Sequence, residues 1–377
     1  MLLLTRARLA LLLCLALAVT VVAAAAPGAS GGAKAPALDF LGQAILPTGT
    51  TFEGTPVGGL SSIAYDEDRD LFYALSDDPS QFAPARFYTL GVDVSDGSLA
   101  NGDVDLLDVT TLLGPDGLPF APLSLDPEGL ALTKDGTLVI TSEGIANRLI
   151  DPWLRLFSLE GAQLGSLPLP DAFLPNAAGT RGVRQNLGFE SAATPPNGRF
   201  LWSGTEGALV QDGPAASLTQ RSPARLLRYN LQTGRLDRQH VYWTDTIAEP
   251  PVPPTAFAVN GLVELLPLNN EFLLSMERSF SVGAPGTGNT IKLYAVKVAG
   301  ATNVDGAESL AGSLDDVRPV EKTLLLDLDT LGIPLDNVEG MTLGPKLPDG
   351  RQSLLLVSDN NFAPAQFTQF LLFALDD

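Results

Sequence analysis

The chain has 377 residues, 45% hydrophobic and 18% charged, with 37 Gly and 29 Pro, which is enough apolar material for a buried core and excludes wholesale disorder. Its 43 Asp and Glu against 23 Lys and Arg give a formal charge of −20, a surface that repels phosphate backbones and anionic lipid and speaks against nucleic acid as a partner. One Cys and one His in the whole chain exclude Cys–His thiol catalysis, Cys-rich zinc sites and disulfide frameworks, and any Ser–His–Asp triad would rest on His240 alone.

The N-terminus reads as a targeting segment. Arg6 and Arg8 precede an apolar run from Leu9 to Val22, and Ala23 to Ala26 supply the small residues of an A-x-A type cut. Residues 1–26 are therefore expected to be a secretory signal peptide, with a retained membrane anchor as the alternative. Cys14 follows Leu13 rather than a small residue, unlike a lipoprotein attachment site. Residues 27–37, rich in Gly, Ala and Ser, are expected to form a flexible leader. Periplasmic or extracellular location follows, with no membrane contact after cleavage.

Residues 38–377 repeat one pattern: a Gly-marked apolar segment, a polar turn, then a second apolar segment that stops at an acid. In chain order the copies are GGLSSIAYDEDRDLFYALSDD from Gly58, EGLALTKDGTLVITSEG from Glu128, ESAATPPNGRFLWSGTEG from Glu190, NGLVELLPLNNEFLLSMER from Asn260 and EGMTLGPKLPDGRQSLLLVSDN from Glu339. A third strand follows each, opening at Arg86, Arg155, Arg225, Lys292 and Gln369, and a fourth follows in four copies, as in VDLLDVTTLL from Val104. The fifth copy runs out of residues, while LDFLGQAIL from Leu38 has the form of an unpaired fourth strand. Four antiparallel strands repeated around an axis make an all-β propeller whose last blade is closed by the N-terminal strand, which removes the open edge. The copies start farther apart than the ~40–45 residues of a minimal blade, so the excess falls in loops. Five blades are counted, or six if one has diverged beyond recognition.

In an antiparallel hairpin the start of the first strand and the end of the second lie on one face of the disc. Gly58, Glu128, Glu190, Asn260 and Glu339 form one such column, and Asp77, Glu143, Glu206, Glu277 and Asp359 the other; eight of these ten positions are carboxylates in a chain where 43 of 377 residues are acidic. Converging carboxylates repel one another unless something compensates. Two readings stay open. Arg86, Arg155, Arg225 and Lys292 could each pair with the acid of their own blade and staple its strands. Alternatively the acids bind a cation, and clustered carboxylates with one His and no Cys in the mature chain suit Ca²⁺ rather than zinc or copper. The expected metal ligands are the eight acids of the two columns, with Glu128, Glu190 and Glu339 in the inner one.

The remaining features read as structural. His240, in RLDRQHVYW, belongs to an outer strand; the acidic run Asp66 to Asp70 reads as a solvated turn; Asp93, Asp96, Asp103 and Asp105 lack the spacing of an EF-hand loop; and EPPVPPT from Glu249 is a stiff connector before the fourth copy. No Walker loop, dinucleotide fingerprint or zinc-protease motif is present.

The pieces GLSSIAYD with YALSDD, LDPEGLAL with TSEG, NLGFESAA with GTEG, NGLVEL with SMERSF, and NVEGMTL with VSDNN resemble the phytase-like family of exported proteins described as "esterase-like activity of phytase". The resemblance covers essentially all of residues 38–377. It implies a β-propeller with phosphoester-hydrolysing or esterase-like activity and, by similarity to calcium-dependent propeller phytases, Ca²⁺ in an acidic central site. The expected reaction is metal-assisted hydrolysis of a small phosphorylated or ester substrate by a monomer. Glu128, Glu190 and Glu339 would work at the reacting centre, and Arg148 and Arg278 would clamp phosphate oxygens. A non-catalytic binding propeller and a calcium-dependent lactonase or carboxylesterase are the competing classes.

Overall fold

A computed structural model describes residues 37–312 and 314–376; the expected signal peptide and all of the expected leader except Ala37 lie outside the described residues. Ala37 itself opens the first strand, where it pairs with Asp376. Five four-stranded antiparallel sheets make up the fold, accompanied by one small hairpin, Thr51–Phe52 with Thr55–Pro56.

The first blade runs outward from the axis as Leu60–Asp66, Leu71–Ser76, Arg86–Val92 and Val104–Thr111. The second runs Pro127–Leu132, Leu138–Ser142, Trp153–Phe157 and Gln163–Leu167; the third Phe189–Ala193, Phe200–Ala208, Pro223–Asn230 and Arg235–Trp243. The fourth is Ala258–Pro267, Phe272–Ser281, Asn289–Lys297 and Glu321–Asp327. The fifth takes Asn337–Lys346, Gln352–Asp359 and Thr368–Asp376 from the end of the described chain and Ala37–Leu46 from its beginning. The ring has five blades, not six.

Burial follows position in the blade. The inner strand Leu60–Asp66 is almost wholly buried, whereas no residue of the rim strand Glu321–Asp327 is fully buried, because an inner strand has a blade on either side and a rim strand meets water. Five hydrophobic clusters fill the spaces between neighbouring blades. Tyr73 and Leu75 meet Leu130 and Ile140; Val139 meets Phe189 and Leu201; Trp202 and Leu226 meet Leu262 and Leu273; Leu274 meets Val338 and Leu354; Leu355 and Phe370 meet Leu60 and Ile63. The last contact returns to the first blade, so the core is a closed band rather than a central ball.

Two glycines show why Glu-Gly recurs. A Cβ on Gly129 would lie 2.6 Å from the Ala192 nitrogen of the next blade, and one on Gly340 would lie 3.0 Å from the Ser62 Cα, so only glycine lets inner strands approach this closely around the axis. At the axis Glu264 is buried, accepting hydrogen bonds from Ser62 Oγ at 3.0 Å and from its neighbour Leu265 N at 2.9 Å. Ser62 Oγ in turn accepts from Leu130 N at 3.0 Å, so one carboxyl ties the first, second and fourth blades together.

Candidate metal and substrate centre

Every inner strand carries a β-bulge, near its start in four blades and midway along it in the fourth. The pairing breaks between Leu60 and Ser62, Pro127 and Leu130, Phe189 and Ser191, Leu262 and Glu264, and Val338 and Gly340. The extra residues are Ser61, Glu128 with Gly129, Glu190, Val263 and Glu339. A bulge re-aims a side chain out of the pleat, and in the second, third and fifth blades the re-aimed side chain is a glutamate. On the paired strand the residue opposite the last regular position is Ser76, Ser142, Thr205, Glu277 and Ser358. The residues that follow are Asp77, Glu143, Glu206, Arg278 and Asp359.

This register corrects the expected columns in two blades. The first blade contributes Ser61 rather than Gly58, and the fourth contributes Val263 and Arg278 rather than Asn260 and Glu277. The fourth blade's inner hairpin is longer before its bulge than the others, so aligning Asn260-Gly261 with the Glu-Gly pairs shifts the register. A shift of one residue turns a strand side chain to the opposite face. Glu277 therefore points away from the cavity, where it meets Lys322 Nζ, Tyr242 OH at 2.7 Å and Asn260 Nδ2 at 3.0 Å.

Seven of the eight expected ligands do converge. Asp77, Glu128, Glu143, Glu190, Glu206, Glu339 and Asp359 line one cavity of about 760 Å³, joined there by Asp126 and Asp336. Arg278 is the single cation among the described residues that line it. Its Nη2 donates to Glu339 Oε1 at 2.7 Å and stands 3.5 Å from Glu206 Oε1. Arg148 is not brought in: it ends a single helical turn, Ala146–Arg148, is exposed, and donates to the Leu123 carbonyl at 2.7 Å.

The expected staples are replaced by other pairs, which leaves the cavity acids unneutralised. Arg86 binds Asp78 at 2.8 Å rather than Asp77, and Arg225 binds Asp212 at 2.7 Å rather than Glu206. Lys292 lies 3.9 Å from Asp327, and Glu277, although directly across the strand pair from Lys292, makes its ion pair with Lys322; Arg155 stacks on Trp153, 4.4 Å from the ring centre. Asp66 is also not a solvated turn residue. It is buried, accepting from the Asp68 and Arg69 amides and from Tyr73 OH. His240 lies in the rim strand of the third blade, as expected, against the Thr302 carbonyl at 2.9 Å.

Asp126, Glu128 and Glu143 offer carboxylate oxygens all within 4.8 Å of one another. Asp126 is held there by its amide, which donates to Ser142 Oγ at 3.0 Å, and by its carbonyl, which accepts from Glu143 N at 3.0 Å. Sequence reasoning missed it because it lies in the turn before the strand, although it stands in the quoted block LDPEGLAL. Asp336, in the matching turn of the fifth blade, is tied down by Asn337 N at 2.8 Å and Gln366 Nε2 at 2.9 Å.

Burial and mutual repulsion favour the protonated forms. Desolvation, then the charges of Asp359 and Glu339, raise Asp77 well above the usual carboxylate range; desolvation, then Glu190 and Asp77, do the same to Glu128. Glu143 and Glu190 are raised by burial first and then by Asp126 and Glu206 respectively. Burial lifts Asp126 to about 6; burial against the opposing pull of Arg278 leaves Glu206 at about 7; burial and Glu339 put Asp359 at about 8. No hydrogen bond or ion pair among the described residues reaches the Glu128 or Glu190 carboxylate, and Glu206 Oε1 is buried without a hydrogen-bond partner. The donor set is all oxygen, anionic and under-neutralised, which fits a hard divalent cation such as Ca²⁺ and offers neither thiolate nor imidazole to zinc or copper.

A relative from Arthroderma benhamiae named "Uncharacterized secreted protein" is 24% identical over 252 residues, 50% of this chain and 48% of its own length, so the chain spans about half of that relative. Among solved structures, an endo-arabinase from Bacteroides thetaiotaomicron aligns over 85% of this chain and 95% of its own at 11% identity, with a TM-score of 0.43. Hydrazine synthase from Kuenenia stuttgartiensis aligns over 82% and 81% at 11% identity, with a TM-score of 0.33. Among the described residues no helix is long and apolar enough to cross a membrane. The family model described as "Phytase-like: Esterase-like activity of phytase" matches residues 55–362, reaching into all five blades, and the chain belongs to that family.

Proposed function

We propose that the acidic cavity is the active centre of an exported, calcium-dependent hydrolase of small phosphoesters or carboxylic esters, acting as a monomer. The observation that carries this reading is the Asp126, Glu128 and Glu143 cluster, with oxygens within 4.8 Å, in a cavity where nine carboxylates face one guanidinium. Those three residues would hold the ion, and Glu190 and Asp77 would complete its surroundings. A bound Ca²⁺ supplies positive charge that neutralises and polarises the ester oxygens. Export is supported by the N-terminal signal pattern and by the name of the Arthroderma relative.

The chain's own groups then have defined tasks. Arg278, fixed by Glu339, presents its guanidinium to a substrate oxygen as a charge-assisted donor. Glu206 Oε1, buried and lacking a hydrogen-bond partner, accepts the proton of the attacking water as general base. Glu339 holds Arg278 in place and is a positioning residue.

The test uses purified protein with p-nitrophenyl phosphate, phytate and p-nitrophenyl acetate, each with calcium or with chelator. Turnover that chelator abolishes, and that falls by about 10²-fold or more in Glu206→Gln, supports the hydrolase. Absence of turnover on all three substrates, with calcium still raising the melting temperature, would replace it with a binding propeller.

A further inference from the structure

Blade four is built differently from the rest. Five strand residues, Ala258 to Leu262, precede its bulge at Val263, where one or two precede the bulge elsewhere. At about 3.3 Å per residue, the extra three or four raise this inner hairpin roughly 10–13 Å above the level of the other blades' bulges, as a wall on one side of the cavity. Its pleat is two-faced. Val259 pairs with Phe280 and Gly261 with Arg278, so these four share one face, and Val259, Phe280 and Arg278 all line the cavity. Phe257 continues the apolar surface, its ring 6.2 Å from that of Phe280, and Val282 N donates to its carbonyl at 3.0 Å. Phe257 is 64% exposed and Val282 39%. An apolar strip thus begins two residues above the Arg278 guanidinium and runs out to solvent.

We infer that this strip is a substrate subsite, and that the cavity takes a monoester whose alcohol or acyl part is flat and apolar rather than a polyphosphate. The inference rests on the hydrolytic reading of the same cavity. The charge balance points the same way: a polyphosphate would bring many negative charges to a site with nine carboxylates and one guanidinium already engaged by Glu339. A monoester places one polar head at Arg278 and lays its remaining surface on Phe280, Val259 and Phe257, where apolar contact adds affinity without charge.

Binding of non-hydrolysable probes tests this apart from turnover. Titration calorimetry in calcium buffer compares phenylphosphonate, methylphosphonate and inositol hexakisphosphate. Phenylphosphonate is expected to bind at least about tenfold more tightly than either of the others. Phe257→Ser with Phe280→Ser should bring the phenyl and methyl probes within about twofold of each other while leaving methylphosphonate unchanged. Phe257→Ser alone, at an exposed position, should move the ratio in the same direction without risk to the fold. Equal binding of phenyl and methyl probes, tightest binding of the hexakisphosphate, or no binding of any probe would overturn the subsite. Phenyl-selective binding supports the subsite even if no ester is hydrolysed, which would sink the hydrolase alone. Turnover of p-nitrophenyl phosphate without phenyl selectivity would sink the subsite alone.

Discussion

Glu277 and Arg278 are adjacent in sequence and serve opposite sides of one strand: Arg278 enters the cavity, 2.7 Å from Glu339, while Glu277 turns away to Lys322 and Tyr242. Parity within the fourth blade thus puts a cation where four other blades put an acid. The cavity's charge balance depends on it.

Removing that cation should be costly where the acids are ionised. Arg278→Ala leaves Glu206 and Glu339 without compensation, and breaking a buried pair costs up to about 3–5 kcal/mol. The melting temperature of the metal-free variant should fall below wild type at pH 8, with the gap narrowing at pH 5 as Glu206, held at about 7 in the folded protein, takes up its proton. A gap independent of pH would contradict this role.

Metal-free wild type should itself lose stability as pH rises. Asp126, Glu206 and Asp359 titrate near 6, 7 and 8 in the folded protein, against about 4 in an unfolded chain. The folded state therefore binds more protons between these limits, so the stability present below pH 4 is lost progressively up to pH 8. Thermal melts in chelator should drop from pH 5 to pH 8.5, and saturating calcium should flatten that slope. A metal-free melting temperature that rises across this range would refute it.

The axial carboxyl makes a separate prediction. Glu264→Leu would leave Ser62 Oγ and Leu265 N without their acceptor, at roughly 1–3 kcal/mol for each buried group. Urea unfolding should show the loss, while calcium affinity stays at the wild-type value because Glu264 does not line the cavity. A changed affinity would mean that the hub shapes the site.

Blade count, strand order and closure by the N-terminal strand were legible because each copy repeats a hairpin, and because glycine at 129 and 340 is demanded by close approach of backbones. Seven cavity acids were legible for the same reason. Others were hidden by features that leave no period. The bulge before Glu264 and the long fourth hairpin decide which of Glu277 and Arg278 faces inward, and both depend on pairing across strands. Asp126 sits in a turn outside any strand pattern. The partners of Arg86 and Arg225, Asp78 and Asp212, come from loops, so sequence proximity suggested the wrong acids.

The Arg225–Asp212 pair provides a contrast to the cavity. Two hydrogen bonds, at 2.7 and 2.9 Å, join fully buried groups. Asp212→Ala should cost about 3–5 kcal/mol in urea unfolding at neutral pH and leave the calcium affinity of the folded fraction untouched. A loss below about 1 kcal/mol would show that the pair is not the staple its geometry describes.

The most direct test of the acidic centre is calorimetric titration of calcium into metal-free protein at pH 7.5, beside the double variant Glu128→Gln, Glu143→Gln. Saturable binding to wild type, weakened at least about tenfold in the variant, is the expected result. Wild type that takes up no calcium, or a variant that binds it equally well, would contradict the assignment of these carboxylates to a metal.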